Sequence, residues 1–470
     1  MGYGRAAPAL AMPVGAVIRR LILIEFTSGF IQYGMIPLLP RIGERAGISG
    51  AALSWVIAVK LLAGAACVPV IGRLGDRYGH RRLLRISVAL LAAGTVLVAV
   101  APTFELLLVG RLVQAPMAAL LPLEIALVRG ALPQAAARRA IALLVGALTF
   151  GALVGTVVTG AVETATGSVS LALLVPAAMT VACVPLCLSG IPPSPGNPGV
   201  RMDWPGALLL SAGTASLLGG LSQVEEYRGS PAAAGGIGLG LVLIAAFGLV
   251  ELRTPHPLID LRAMAQPRAL SYYVAAGLFG VVYFGSQAPN SAFLAADPGT
   301  DGYGFGLSAF AISLVILPAI VGSIAGSLGS ARLASLVGYR ACVAGAFTTL
   351  AGGFILLVLA RDRLPLLCVA MVVLGLGTGV VLGALPTAIV ELAPPDRAGI
   401  ATAVYNNTKL IGGALAGGGC AVLLSRLTPA GTDAPHEAGY LTVWLVAAAC
   451  AALAAAAVGY RMRAGRSVTS

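Results

Sequence analysis

The feature that most constrains this 470-residue chain is the recurrence of nearly uncharged apolar runs of about twenty residues. As helices, such runs are long enough to cross a hydrocarbon layer of about 30 Å. Fourteen can be drawn, at 18–40, 49–71, 83–101, 103–128, 140–163, 168–190, 204–223, 235–252, 270–294, 306–329, 339–360, 364–392, 398–425 and 438–460. Lipid offers backbone N–H and C=O groups no hydrogen-bond partner, so each run must satisfy its own backbone by coiling. The pattern therefore predicts an all-α integral membrane protein with fourteen transmembrane helices. Hydrophobic residues make up 58% of the chain and charged residues 10%, whereas a water-covered domain carries about 25% charged residues.

Charge orients the runs. Short loops left on the cytoplasmic side collect Arg and Lys. With both termini inside, the inner segments hold 21 of the thirty basic residues and the outer loops six: Arg41, Arg45, Arg228, Arg361, Arg363 and Arg426. The last three, Lys60, Arg111 and Lys409, fall within runs. This asymmetry predicts a multi-pass protein of the cytoplasmic membrane with both ends cytoplasmic. Met1–Gly15 lacks the apolar core and cleavage site of a secretory signal and reads as a short cytoplasmic lead. The net charge of +12 is scattered in small groups between runs, which is a topological distribution and excludes a nucleic-acid-binding face.

The densest basic loop is Gly72–Leu84, GRLGDRYGHRRLL. Its glycines permit a tight reversal, and Asp76 is suited to cap the following helix and pair with neighbouring arginines. A fainter copy at 331–340 repeats Arg73, Leu74, Gly79 and Arg81 as Arg332, Leu333, Gly338 and Arg340, at a constant offset of 259 residues. The copy lies between runs ten and eleven. It predicts two six-helix bundles, 1–190 and 270–470, with two extra helices and their linkers inserted as 191–269. Residues 191–206 are too rich in Pro and Gly for a helix and form a linker, with Asp203 capping run seven and Trp204 at the membrane interface. Segment 253–269, with Arg253, Arg262 and Arg268, is the matching linker. Repeats of this kind build a central site at mid-membrane between the halves.

The Gly72–Leu84 loop resembles the loop between helices 2 and 3 of the major facilitator superfamily of secondary transporters. Arg111 to Gln114 in run four, the glycines of run five, the Asp203-Trp204 start of run seven and Glu25-Phe26-Thr27 in run one are similar to the fourteen-helix drug:proton antiporter family. That resemblance implies two pseudo-symmetric bundles, proton-coupled efflux of small amphipathic, drug- or antibiotic-like compounds by alternating access, and multidrug or antibiotic resistance as a consequence. It also implies that runs two and thirteen face one another across the halves, and that Gly72, Asp76, Arg77, Gly79 and Arg81 govern gating. Two positions depart from the family pattern. Thr156 stands where the antiporter signature of run five has a kinking proline, and Ala115 follows Gln114 where glycine is usual. The glycines of run five also suit close helix packing without any antiport role.

A proton-coupled carrier needs an ionisable group at membrane depth. Glu25 lies seven residues into run one, about 10 Å deep, and shares one helix face with Ser28 and Gln32. A polar stripe is costly against lipid, so it should face a cavity; the competing reading is a carboxylate near Arg19 and Arg20 at the interface. Glu124, in run four, is a second coupling candidate or an interfacial partner of Arg129. Arg111, one turn before Gln114, should meet a carboxylate or a wet cavity. The only two lysines, Lys60 and Lys409, both lie within runs while every loop cation is Arg, a division that suggests two compact, titratable ammonium groups on the pathway. The alternative is structural pairing with Glu25, Glu124 or helix carbonyls. Lys409 continues a stripe with Thr402, Tyr405 and Asn406, and Tyr283, Gln287 and Asn290 form another. The candidate substrate-binding set is thus Glu25, Gln32, Lys60, Gln114, Tyr283, Gln287, Asn290, Tyr405, Asn406 and Lys409; the coupling set is Glu25, Glu124 and Arg111. Three cations against two acids suggest an anionic or zwitterionic substrate, or a neutral one with acceptor groups.

Other classes fit poorly. Neither lysine is followed by Ser or Thr, so no phosphate-binding P-loop exists and ATP is not expected as a partner. The seven cysteines have no metal-ligand spacing with His80, His256 and His436 and read as buried free thiols, with no metal or cofactor implied. Expected partners are protons, a small-molecule substrate and the bilayer. The runner-up function is a proton-independent or importing carrier of an organic anion or zwitterion. A receptor or membrane enzyme, the third possibility, finds no catalytic motif.

Overall fold

The computed structural model describes residues 14–49, 52–226, 231–255, 257–259, 261–264, 267–392, 398–428 and 435–466. The described chain is helical apart from turns and connections. Helix α1 (Val14–Gly34) passes through a 3-10 turn (Ile36–Leu38) into α2 (Leu39–Ala46); α3 (Leu53–Tyr78) and α4 (His80–Val100) follow. The fourth pass is made in pieces: α5 (Phe104–Val113), a 3-10 segment (Ala115–Ala119) and α6 (Leu120–Ala131). Then come α7 (Gln134–Thr166), α8 (Val169–Leu188), α9 (Trp204–Glu226), α10 (Pro231–Arg253) and the single turn α11 (Leu261–Met264). Helix α12 (Pro267–Gly285) continues as α13 (Gln287–Ala295). The chain ends with α14 (Ala309–Val337), α15 (Tyr339–Ala360), α16 (Leu364–Leu392), α17 (Ala398–Arg426) and α18 (Glu437–Arg466). Thirteen passes are long and apolar enough to cross a membrane among the described residues; α9, paired lengthwise with α10, is the fourteenth long helix.

The interruptions have a chemical cause. Pro37, Pro116 and Pro289 lack an N–H, and each ring crowds the carbonyl four residues earlier. The helix relaxes to a 3-10 turn at the first two, and at the third α12 gives way to α13 at Ser286. Carbonyls freed in this way are available to other helices.

Packing repeats with the same symmetry as the sequence echo. Helix α1 lies along α7 as α12 lies along α17; α4 packs on α8 and α5 as α15 packs on α18 and α16. The largest contacts between the early and late helices are α3 with α17 and α7 with α14, and α13 also reaches α2, α3 and the first 3-10 turn. Glycine permits the closest approaches. A Cβ on Gly29 would stand 1.9 Å from Leu148 O, and one on Gly412 2.0 Å from Gly277 O, so backbone meets backbone where no side chain intervenes. The turns at the two motif copies match as well: Gly79 has φ +95° and Gly338 φ +82°, a region L-residues avoid. These two glycines are 259 residues apart.

Two local expectations change. Helix α3 runs through Tyr78, so Asp76 sits in its last turn and does not cap α4; Gly79 occupies the cap without a side-chain bond. Asp76 pairs with His80 at 3.2 Å, not with an arginine. All seven cysteines are free, but only Cys183, Cys187 and Cys342 are buried, the other four being half-buried. Asp203 does cap α9, accepting from Gly206 N at 2.9 Å.

Candidate functional site

A cavity of about 1960 Å³ lies between the early and late helices, walled by α1, α3, α5, α6 and α7 on one side and by α12 to α17 on the other. Arg73, Asp76, Arg129 and Arg262 line its mouth, which places the opening on the face that carries the Gly72–Leu84 turn. The opposite end is bridged. Ser291 Oγ donates to Ile36 O at 2.8 Å, using a carbonyl from the 3-10 turn after α1. Ser313 Oγ donates to Thr156 O at 2.7 Å, and Phe310 N to Thr164 Oγ1 at 3.1 Å. Gly160 lets α7 and α14 meet there, since a Cβ would lie 2.2 Å from Ser313 Oγ.

Glu25, Ser28 and Gln32 all reach the cavity wall from α1, joined by Tyr33. Glu25 is eleven residues into the observed helix, deeper than the sequence suggested. Its side chain is 1% exposed, and neither carboxyl oxygen has a hydrogen-bond partner among the described residues. Glu124, on α6, is fully buried and equally without partners. It lies behind the wall, close enough to Glu25 and Cys183 to feel both electrostatically. Arg129 is exposed at the mouth and forms no ion pair with Glu124. The two acids thus share a buried region in which Thr27 Oγ1 and Cys183 Sγ meet at 3.5 Å.

The cations are held differently from one another. Arg111 lines the cavity, yet its partners are neutral: Nε donates to Val56 O at 2.8 Å and Nη1 to Gln114 Oε1 at 2.8 Å. Gln114 Nε2 passes the chain on to Thr95 Oγ1 at 3.1 Å, which donates to Leu91 O at 2.6 Å. Gln114 therefore stands behind Arg111 and does not line the cavity. Lys60 and Lys409 both do, and neither pairs with a carboxylate among the described residues. Lys60 lies near enough to Arg111 for their charges to repel. Lys409 Nζ sits 5.4 Å from the Tyr405 ring centroid, an attractive placement for an ammonium over a π face.

The remaining candidates come from the late helices. Tyr283, Gln287, Asn290, Tyr405 and Asn406 line the wall. Tyr283 stacks on Phe279 with centroids 5.4 Å apart, and Asn290 Oδ1 accepts from Trp444 Nε1 at 2.7 Å. Tyr405 leaves its hydroxyl unpartnered. Sequence reasoning missed Tyr33 and Asn407. Asn407 is 3% exposed, lines the cavity and has no partner for either side-chain polar atom; a second amide beside Asn406 in an apolar helix was the available signal.

The turn at the mouth is covered by the segment that precedes α9. Asn197 N donates to Asp76 O at 2.9 Å, and Gly196 packs so closely on Arg77 O that a Cβ would lie 2.1 Å away. Gly79 lies just as tightly under Ser194 O. Arg77 stacks on Tyr78, with its guanidinium carbon 5.4 Å from the ring centroid. Arg73 donates to Pro257 O at 2.6 Å. Gly72 borders the cavity, whereas Arg81 keeps its Nε buried without a partner.

A central cavity at the seam of two similarly packed helix sets, reached from a glycine-hinged basic turn, has clear parallels. The sequence profile described as Major Facilitator Superfamily matches residues 21–417. The chain is 28% identical over 387 residues to the puromycin resistance protein pur8 of Streptomyces alboniger, covering 80% of this chain and 75% of that one. It is 29% identical over 421 residues to the multidrug efflux pump LfrA of Mycolicibacterium smegmatis, covering 87% and 78%. Among solved structures, the nucleoside transporter NupG aligns with a TM-score of 0.65 at 15% identity, covering 94% of this chain and 98% of that one. An auto-inhibited POT family peptide transporter aligns at 0.66 and 18%, covering 95% and 96%; at such identities these two speak for the fold alone. The chain belongs to the Major Facilitator Superfamily, and is a multi-pass secondary transporter of small molecules, not an enzyme.

Proposed function

We propose that this transporter exports small amphipathic compounds in exchange for protons, by rocking two bundles, 1–190 and 270–470, about the central cavity. The mouth is then cytoplasmic, both termini lie inside, and the state described is the one that loads cargo. The Gly72–Arg81 turn and the segment strapped over it act as the gate on that side, with Asp76, Arg77, Gly79 and Arg81 holding its shape. The drug-efflux names of the relatives support the direction of transport.

The observation that carries the coupling is Glu25. A carboxyl at the cavity wall, out of water and with no donor or cation to hold it, has no structural work. Its charged form costs several kcal/mol in such a place unless cargo, water or a rearranged wall supplies a partner. Its protonated and charged forms therefore favour different conformations, which is what coupling requires. Glu124, adjacent but off the wall, tunes Glu25 and does not meet cargo, and Arg111, at the wall, braces α3 against α5.

The test uses proteoliposomes holding the full chain and a fluorescent amphipathic probe. Glu25→Gln is expected to reduce pH-gradient-driven movement to the level of empty liposomes while preserving gradient-free counterflow. Wild-type rates for both modes in the variant would reject the assignment.

A further inference from the structure

The cavity wall is lopsided in charge. Six cations line it, Lys60, Arg111 and Lys409 at depth with Arg73, Arg129 and Arg262 at the mouth, against two acids, Glu25 and Asp76. Asp76 is engaged by His80. Among the cations, Arg73, Arg111 and Arg262 each donate to a backbone carbonyl, of Pro257, Val56 and Leu252. Lys60 and Lys409 have no carboxylate partner among the described residues. A low-dielectric cleft lined by one sign of charge concentrates the opposite sign.

The two lysines also have a defined relation. Helices α3 and α17 run side by side, with Ala58 against Gly417 (2.7 Å to a built Cβ) and Gly64 against Leu410 (3.9 Å). In that register Lys409 lies level with residue 65, five residues from Lys60, or about 8 Å along the helix axis. One ammonium comes from the early helices and one from the late helices, at the seam where the two sets touch. Tyr283, Phe284 and Phe354 supply an apolar wall to the same cavity.

Resting on the export reading above, we propose that the cargo is an amphipathic organic acid, its carboxylate held between Lys60 and Lys409 and its apolar body against Tyr283, Phe284 and Phe354. Charge-assisted bonds to an ammonium on each side of the seam tie the two helix sets together when cargo is present. Without it the two positive charges stand unopposed. A cationic cargo at the same depth meets three cations and the single carboxyl of Glu25.

The experiment uses one fluorescent scaffold in three charge states, dansylglycine (anionic), dansylamide (neutral) and dansylcadaverine (cationic), titrated against the full chain in nanodiscs. Dansylglycine is expected to bind at least tenfold more tightly than either of the others. Lys60→Gln and Lys409→Gln should each weaken dansylglycine about tenfold and move dansylamide less than twofold, and Lys→Arg should restore most of the loss. A preference for dansylcadaverine, no preference for dansylglycine over dansylamide, or dansylglycine binding unmoved by both glutamine variants overturns the proposal. The wild-type charge ranking decides the matter even if a variant fails to fold. Because the readout is binding without a gradient, it separates the two readings: dansylglycine selectivity with gradient-insensitive transport leaves the acid site standing and removes proton-coupled export.

Discussion

Two buried glutamates of this transporter have opposite surroundings. Glu251, near the end of α10, is 1% exposed, as Glu25 is. Yet Glu251 Oε1 accepts from Leu258 N at 3.1 Å and Oε2 from Ile259 N at 3.2 Å. Its carboxylate stands in for the missing helical partners of a connection that leaves the helix, and so fixes the path of that connection to α11. Glu25 holds nothing. Burial alone therefore does not mark a functional acid. A buried carboxylate that satisfies backbone donors belongs to the architecture, and one that satisfies none is free to change its charge with the state of the transporter.

The largest expected effect would break this comparison outright. If Glu251→Gln were to uncouple transport while Glu25→Gln left it coupled, hydrogen-bond occupancy would be no guide to role. The expected result is the reverse. Glu251→Gln leaves gradient-driven transport per folded molecule intact, because Glu251 itself does not reach the cavity wall. It lowers stability by about 1–3 kcal/mol, since an amide oxygen can serve one N–H while its NH₂ opposes the other. Thermal unfolding in detergent measures the loss. Gly206 offers a harsher version: a Cβ there would lie 2.5 Å from Asp203 Oδ2 and 2.8 Å from Glu251 Oε1. Gly206→Val should therefore reduce the yield of folded protein more than Glu251→Gln does, and equal yields would place the strain elsewhere.

A subtler contrast sits within the coupling region. Glu124 is as buried and unpartnered as Glu25 but does not reach the cavity. Glu124→Gln should change the pH dependence of transport, because it removes a second ionisable carboxyl close to Glu25, while leaving cargo binding unaltered. Loss of probe binding in Glu124→Gln would give it a direct role and erase the distinction between wall and backing.

How far these differences were readable in the sequence depended on the kind of contact. Run lengths and the 259-residue echo gave the passes and both glycine turns, because helix length and positive φ are strongly coupled to residue type. The Glu25, Ser28, Gln32 stripe was legible from helical periodicity, and all three share the wall. Pairing Glu124 with Arg129 ran against the same periodicity, since residues five apart are about 140° apart around a helix. Gln114 was assigned to the cavity because a polar residue one turn from Arg111 can lie beside it or behind it, and only the position of Thr95 on α4 decides. Glu251 was overlooked because its partners are backbone N–H groups, which any residue type presents.

The smallest predicted effect concerns the bridged end, where the contrast is between bonds that must persist and bonds that must break. Glu251 makes two hydrogen bonds to one segment. The bridged end joins the early and late helices through single bonds, Ser291 to Ile36 and Ser313 to Thr156 from hydroxyl to carbonyl, and Phe310 N to Thr164 Oγ1. Alternating access has to break those on every cycle, so each must be weak enough to lose. A neutral hydrogen bond contributes about 1 kcal/mol net, which is roughly a fivefold change in a two-state equilibrium. Ser291→Ala and Ser313→Ala should each move the population by about that factor away from the state open at the Gly72–Leu84 face. The double variant should move it by roughly thirtyfold if the sites act independently. Single-molecule fluorescence transfer between dyes across the bridged end reads the shift directly. An unchanged distribution in the double variant would mean that the glycine-mediated contacts of α3 with α17 and of α7 with α14 hold that end closed without the hydroxyls.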